Sequence, residues 1–155
     1  ERERREQQER KKRIRKIEEL NKQFGKPFGE YVYDKKVENG MSYDAVLASW
    51  PNPKLKKNNV WYYPQRDNRT LTIVNFVKGK VSSILYNKKP FELDMPKKEL
   101  IAIWGSPRKT KETVFKTKTK QKLYYFSRKT RQNTTAYGYE VNLEDDIVVG
   151  WNELE

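Results

Sequence analysis

Apolar positions are sparse at the start of the chain and periodic after it. Residues 1–23 are almost all charged or amide-bearing, hold neither Gly nor Pro, and carry one stripe, Ile14, Ile17, Leu20 and Phe24, at three- and four-residue spacing. The pattern predicts a helix with a solvated start whose last two turns dock. Glu6 with Arg10 and Glu9 with Arg13 stand at i,i+4 with the acid first, the favourable order. Gly25-Lys26-Pro27 ends the helix, since Gly suits the position after it and Pro cannot extend it. Phe28, Tyr31, Val32 and Tyr33 then read as a short apolar connection.

From residue 40 the pattern repeats itself. Residues 40–54 read GMSYDAVLASWPNPK and residues 94–108 read DMPKKELIAIWGSPR, so that Met41 falls on Met95, Val46 on Leu100, Trp50 on Trp104 and Pro53 on Pro107. In the first copy Ser42 is a plausible N-cap for a helix over 43–50, stopped by Pro51 and Pro53. Strands are expected at 60–63, 70–77 and 81–86, separated by the polar turn Arg66-Asp67-Asn68-Arg69 and by Lys78-Gly79. In the second copy a helix starts near Asp94 with Pro96 in its first turn, buries Leu100, Ile101 and Trp104, and ends at Gly105 and Pro107. Strands follow at 112–118, 122–126, 135–143 and 147–151, the last pair closing over Glu144-Asp145-Asp146. Val74-Asn75-Phe76 corresponds to Val141-Asn142-Leu143, so the repeat runs on into the strands.

Each copy alone, about 60 residues, buries too little surface to be comfortably stable, and two copies sharing an interface do better. The expected architecture is therefore α+β, two helix-plus-antiparallel-sheet repeats behind a charged helix. The expected segments are a helical arm or linker at 1–24, a first repeat at 25–92 and a second at 93–155.

Composition narrows the chemistry. The chain has 155 residues, no Cys and no His. Disulfides, thiolate chemistry and sulfur-ligated zinc are closed to it, as are the commonest general base and metal ligand. Asp44 and Glu99 lie on the helices without a partner carboxylate, and a three-residue acidic turn has too few ligands for Ca²⁺. No catalytic residue, metal site or cofactor is assigned, and the chain reads as non-enzymatic. The net charge of +13 is uneven: residues 105–135 carry ten basic side chains and one acidic, residues 136–155 none and six. Such a field favours anionic partners. The sequons at Asn68 and Asn133 matter only on a eukaryotic secretory route.

The order Gly40-Met41-Ser42, Val46-Leu47, Trp50, Pro53, then Trp61-x-Tyr63, then a strand ending Val77-Lys78-Gly79-Lys80-Val81, resembles the SmpA/OmlA lipoprotein family. Phe76 also fits. The second copy keeps Leu100, Trp104, Gly105, Pro107, Tyr124 or Tyr125, Leu143 and Val148. A tandem of such units resembles the architecture of the β-lactamase inhibitor proteins (BLIP-like). The resemblance covers about residues 37–155. It implies a protein-binding module of the bacterial cell envelope, concerned with envelope assembly or with inhibition of a partner. It also implies an extracytoplasmic location, through a membrane tether ahead of Glu1. The basic arm could then gain attraction to an anionic membrane surface.

Trp50 and Trp104 are expected to close each helix on its sheet. In each of the pairs Tyr62/Tyr63 and Tyr124/Tyr125, strand alternation turns one ring inward and the other outward. An exposed aromatic strip with basic surroundings suits a protein partner, and the candidate contact residues are Tyr62, Tyr63, Tyr124, Tyr125, Lys118, Lys120 and Arg128. The alternative is a nucleic-acid-binding module, because basic side chains interleaved with Phe115, Tyr124, Tyr125 and Phe126 combine phosphate neutralisation with base stacking. Against it, Lys116, Lys118, Lys120 and Lys122 alternate as a solvated strand face would, and edge lysines also deter aggregation.

Overall fold

The N-terminal charged segment is helical because nothing in it opposes helix and its end is anchored. In the computed structural model, which describes residues 1–66 and 69–154, α1 spans Arg2–Phe24 and stops at Gly25, whose φ of 88° lies in the left-handed region. Ile14 is 58% exposed, whereas Ile17, Leu20, Asn21 and Phe24 are half-buried, so only the last two turns dock.

They dock on a second helix, α2 (Phe28–Tyr33), where an apolar connection was expected. Its residues include a glycine, yet tertiary contact holds it: Gly29 lies against the α1 backbone, and its N–H donates to Asn21 Oδ1 at 2.9 Å. The expected Glu9–Arg13 pair does not form. Glu9 takes Lys12 at 3.1 Å, and Arg13 reaches across to Asp34 at 2.8 and 3.1 Å. A two-pronged guanidinium–carboxylate contact outcompetes a pair along a solvated helix. The same contact holds the Asp34 carboxyl below its ordinary range.

The remaining elements are α3 (Tyr43–Ser49), β1 (Leu55–Lys57), β2 (Val60–Pro64), β3 (Leu71–Val77) and β4 (Lys80–Lys88), then α4 (Lys97–Trp104), β5 (Lys109–Val114), β6 (Thr119–Tyr125), β7 (Arg128–Lys129), β8 (Thr135–Ala136), β9 (Tyr139–Glu144) and β10 (Ile147–Glu153). The fold is α+β. One four-stranded sheet has the order β1-β2-β3-β4, a second the order β10-β9-β6-β5, and β7-β8 form a separate hairpin.

The structure differs from the sequence expectation at several points, each with a local cause. Ser42 caps α3 as expected, accepting from Ala45 N at 3.2 Å, but Pro96 is the N-cap of α4, not part of its first turn. The strand expected at 112–118 begins at Lys109 and turns at 115–118, where Phe115 N donates to Lys118 O. The run 135–143 is broken between β8 and β9, because Gly138 N donates to the carbonyls of Tyr125 and Phe126 and the chain crosses back there. The Arg66–Arg69 turn and the Asn68 sequon fall partly on residues outside those described, and Asn133 sits in the β7–β8 turn.

The chain divides into two compact units, Glu1–Trp61 with Ile73–Leu85, and Tyr62–Thr72 with Tyr86–Glu155. In the first, Met41, Val46 and Val74 are fully buried and Tyr43, Trp61 and Phe76 pack ring on ring at 4.5 to 5.5 Å. In the second, Phe91 is the hub: Tyr139, Trp151, Tyr125 and Trp104 surround it at 5.3, 5.9, 6.1 and 6.3 Å, beside buried Leu100, Leu123, Val141 and Val148. Burying each of these aliphatic side chains stabilises by roughly 1.5–3 kcal/mol.

Four bonds recur inside the two units. Gly40 N donates to Val81 O at 2.8 Å and Val81 N to Met41 O at 2.9 Å; in the second unit Asp94 N donates to Val148 O and Val148 N to Met95 O, both at 2.9 Å. Trp50 Nε1 donates to Lys35 O at 3.0 Å, and Trp104 Nε1 to Pro90 O at 2.7 Å. Tyr43 OH donates to Asn59 Oδ1 at 2.7 Å, and Lys97 Nζ to Gln121 Oε1 at 3.1 Å. Both hairpins close on two left-handed residues, Lys78-Gly79 and Asp145-Asp146, the geometry that matches strand twist.

Candidate functional site

The second sheet has one buried and one open face, and its register sorts the side chains between them. Gln121, Leu123 and Tyr125 of β6 turn inward and are buried, so Lys120, Lys122 and Tyr124 turn outward. Across the β5–β6 pair, Lys109 faces Tyr124, Lys111 faces Lys122 and Thr113 faces Lys120. Across β6–β9, Glu140 faces Tyr124 and Glu144 faces Lys120. The open face is thus a cationic patch around an aromatic centre. Lys109 and Lys111 lie 5.6 and 5.9 Å from the Tyr124 ring, and Lys120 lies 5.8 Å from the ring of Phe115, which is 50% exposed. Lys111, Thr113, Phe115, Lys120, Lys122 and Tyr124 line a shallow groove of about 240 Å³.

Two carboxylates balance part of this charge. Lys122 Nζ lies 2.7 Å from Glu140 Oε1, and Glu140 is largely covered, so the hydrogen bond holds its carboxyl below the ordinary range and raises the lysine. Lys118 and Lys120 share Glu144 at 3.5 and 3.6 Å. Lys111 and Lys122 stand directly opposite, an arrangement of like charges that weakens a sheet and is tolerable here because Glu140 neutralises one of them.

The candidate contact residues do not form one surface. Tyr124, Lys118 and Lys120 come together on this face. Tyr125 does not belong to it: it is 2% exposed, donates to Gly105 O at 3.1 Å, and has its hydroxyl pushed up to about 12 by burial. Tyr62, 7% exposed, is likewise a core residue, and Tyr63 is half-buried on β2; burial raises both hydroxyls above their usual range. The expectation that one ring of each pair lies open therefore holds for Tyr124 only in part, since it too is half-buried. Arg128 is exposed on β7 and lines a different cavity of about 480 Å³ with Arg69, Phe126, Tyr137 and Glu153. Lys116 and Lys118 belong to the turn, not to an alternating strand face.

Lys109 and Lys111 escaped the sequence reading. Their i,i+2 spacing was visible, but their place beside Tyr124 follows only from where the β5–β6 hairpin turns. The acidic turn has structural work: Asp145 Oδ1 accepts from Thr119 N at 2.8 Å and Asp146 O accepts from Lys97 N. Among the described residues no cluster of three metal-ligating side chains occurs, and no helix is long and apolar enough to cross a membrane. No protein-family model, curated protein or solved structure significantly matches the chain.

Proposed function

We propose that this chain is a non-enzymatic protein-binding module of the bacterial cell envelope, built as a tandem of two SmpA/OmlA-like repeats in a BLIP-like arrangement. It is held outside the cytoplasm by a membrane tether and recognises an acidic protein partner through the open face of the second sheet. The repeat reading is supported by the four recurring bonds, each with one end at matching positions of the doubled segment, Gly40 and Asp94, Met41 and Met95, Tyr43 and Lys97, Trp50 and Trp104. The binding reading is carried by one observation: Lys109, Lys111, Lys120 and Lys122 converge on Tyr124 and Phe115 on a solvated face. Amphipathic rings flanked by cations suit a protein contact, with the lysines steering encounter and the rings supplying desolvated area.

Replacing Thr113, which lines the groove, by a photoreactive residue tests this in the cells that make the protein. A protein adduct that is lost on adding Tyr124→Ala is expected. An adduct digested by nuclease would instead assign the face to nucleic acid, whose binding also weakens steeply with salt.

A further inference from the structure

We propose that the outer edge of β5 accepts an extended acidic segment of the partner as an added antiparallel strand. This deepens the binding-face reading and rests on it.

β5 is the terminal strand in the order β10-β9-β6-β5, and all six of its residues are exposed. Its bond from Phe115 N to Lys118 O, at 2.8 Å, sets the alternation of the ladder. Lys109, Lys111 and Thr113 turn their peptide groups toward β6, and Thr110, Glu112 and Val114 turn theirs outward. Among the described residues no strand pairs with that edge. It offers a row of main-chain donors and acceptors to a further strand about 4.8 Å away.

Charge says what kind of strand fits. Lys122 has Glu140 at 2.7 Å, and Lys120 and Lys118 share Glu144 at 3.6 and 3.5 Å, all on the β9 side of the sheet. Lys109 and Lys111 of β5 have no carboxylate within 4.0 Å among the described residues, only the Tyr124 ring. The strand lysines with no such carboxylate thus lie along the edge, where the directly opposed side chains of an added strand would stand about 5 Å from them. Acids opposite Lys109 and Lys111 satisfy them. On the other side of the pleat, Glu112 favours a basic or neutral neighbour, and Val114, 70% exposed, an apolar one. A second copy of β5 brings lysine toward lysine and is disfavoured, so the edge discriminates against self-association while admitting an acidic strand.

The matching antiparallel probe is an end-capped peptide, Val-Thr-Lys-Glu-Thr-Glu, with valine opposite Val114 and the glutamates opposite Lys111 and Lys109. In an NMR titration of the full chain, the amides of Thr110, Glu112 and Val114 are expected to shift most and to exchange more slowly. Thr110→Pro removes an outward N–H while leaving the β6 ladder intact, and should weaken binding at least about tenfold. Unchanged β5–β6 cross-strand contacts show that this variant is folded. Lys109→Gln with Lys111→Gln should weaken it as much and flatten its salt dependence.

Full-strength binding by Thr110→Pro, with loss in the lysine variant, overturns strand addition but leaves the face as a binding surface. Equal binding of the peptide with both glutamates changed to glutamine overturns the acidic specificity. Displacement of the peptide by a single-stranded oligothymidylate at lower concentration overturns both this proposal and the protein-binding reading.

Discussion

Gly29→Ala is the sharpest test of how the N-terminal helix is held. A Cβ at Gly29 would lie 2.7 Å from the Leu20 carbonyl carbon and closer still to the Asn21 backbone nitrogen, whereas ordinary contact begins at 3.4 Å. The Asn21 amide oxygen also obstructs and could swing aside, but the other two atoms are main chain, so no side-chain rotation relieves the clash and α1 must move away by the greater part of an ångström. That movement breaks the Gly29 N to Asn21 Oδ1 bond, which contributes about 1 kcal/mol. Overpacking of this kind costs typically 1–3 kcal/mol, while alanine in a helix recovers up to about 1 kcal/mol relative to glycine. The net expectation is a loss of about 1–3 kcal/mol, concentrated at the α1–α2 contact.

Amide hydrogen exchange of residues 13–24 together with urea unfolding reads it: exchange should quicken there before any change in the second sheet. Gly150→Ala, which meets nothing within 4 Å, is the control and should be nearly neutral. Unchanged α1 protection in Gly29→Ala would refute the docking geometry.

Other outcomes follow from single bonds. Trp50→Phe and Trp104→Phe each leave a backbone carbonyl without its indole donor and should each lose about 0.5–1.5 kcal/mol in chemical denaturation, the more at Trp104, whose bond is the less exposed; no loss in either would refute the indole bonds as a shared support of the two copies. Because Glu140 has a lowered folded-state pKa, its pairing with Lys122 stabilises fully above the ordinary value of 4.5 and is lost as pH falls through the lowered one. Glu140→Gln should accordingly be less stable at neutral pH and show a flatter acid limb in thermal melts. Tyr125 has the opposite sign: its raised pKa, about 12, means that stability is intact below 10 and declines as pH climbs between them. Tyr125→Phe should shrink that alkaline decline, followed by tyrosinate absorbance and circular dichroism.

Much of the fold was legible because it depends on local rules. Helix formers without breakers, Ser42 at an N-cap, Pro53 and Pro107 past helix ends, and apolar spacing at Val46 and Leu100 all act within a few residues. The doubled segment showed where a pattern recurs, and the α+β class with a leading charged helix followed. The candidate face was only half legible. Basic residues and aromatics in 105–135 were visible as composition, but Tyr124 and Tyr125 could not be told apart by type. Nothing within the sequence marks which ring of two adjacent tyrosines meets Phe91.

That choice belongs to register. The sequence by itself determined the charge, the chemistry closed by the absence of Cys and His, the helices α1, α3 and α4, and the approximate strands. The tertiary structure alone decided that Phe28–Tyr33 is helical, since only contact with α1 holds it there. It alone sent Arg13 to Asp34, tied the acidic turn to Thr119 and Lys97, and buried Tyr62 and Tyr125. It alone brought Lys109 and Lys111 beside Tyr124. Strand alternation has a period of two, so a hairpin that turns at 115–118 assigns each side chain of β5 and β6 to a face at once. The position of that turn is settled by burial of Leu123, Tyr125 and their partners across the sheet, and by no residue's own preference.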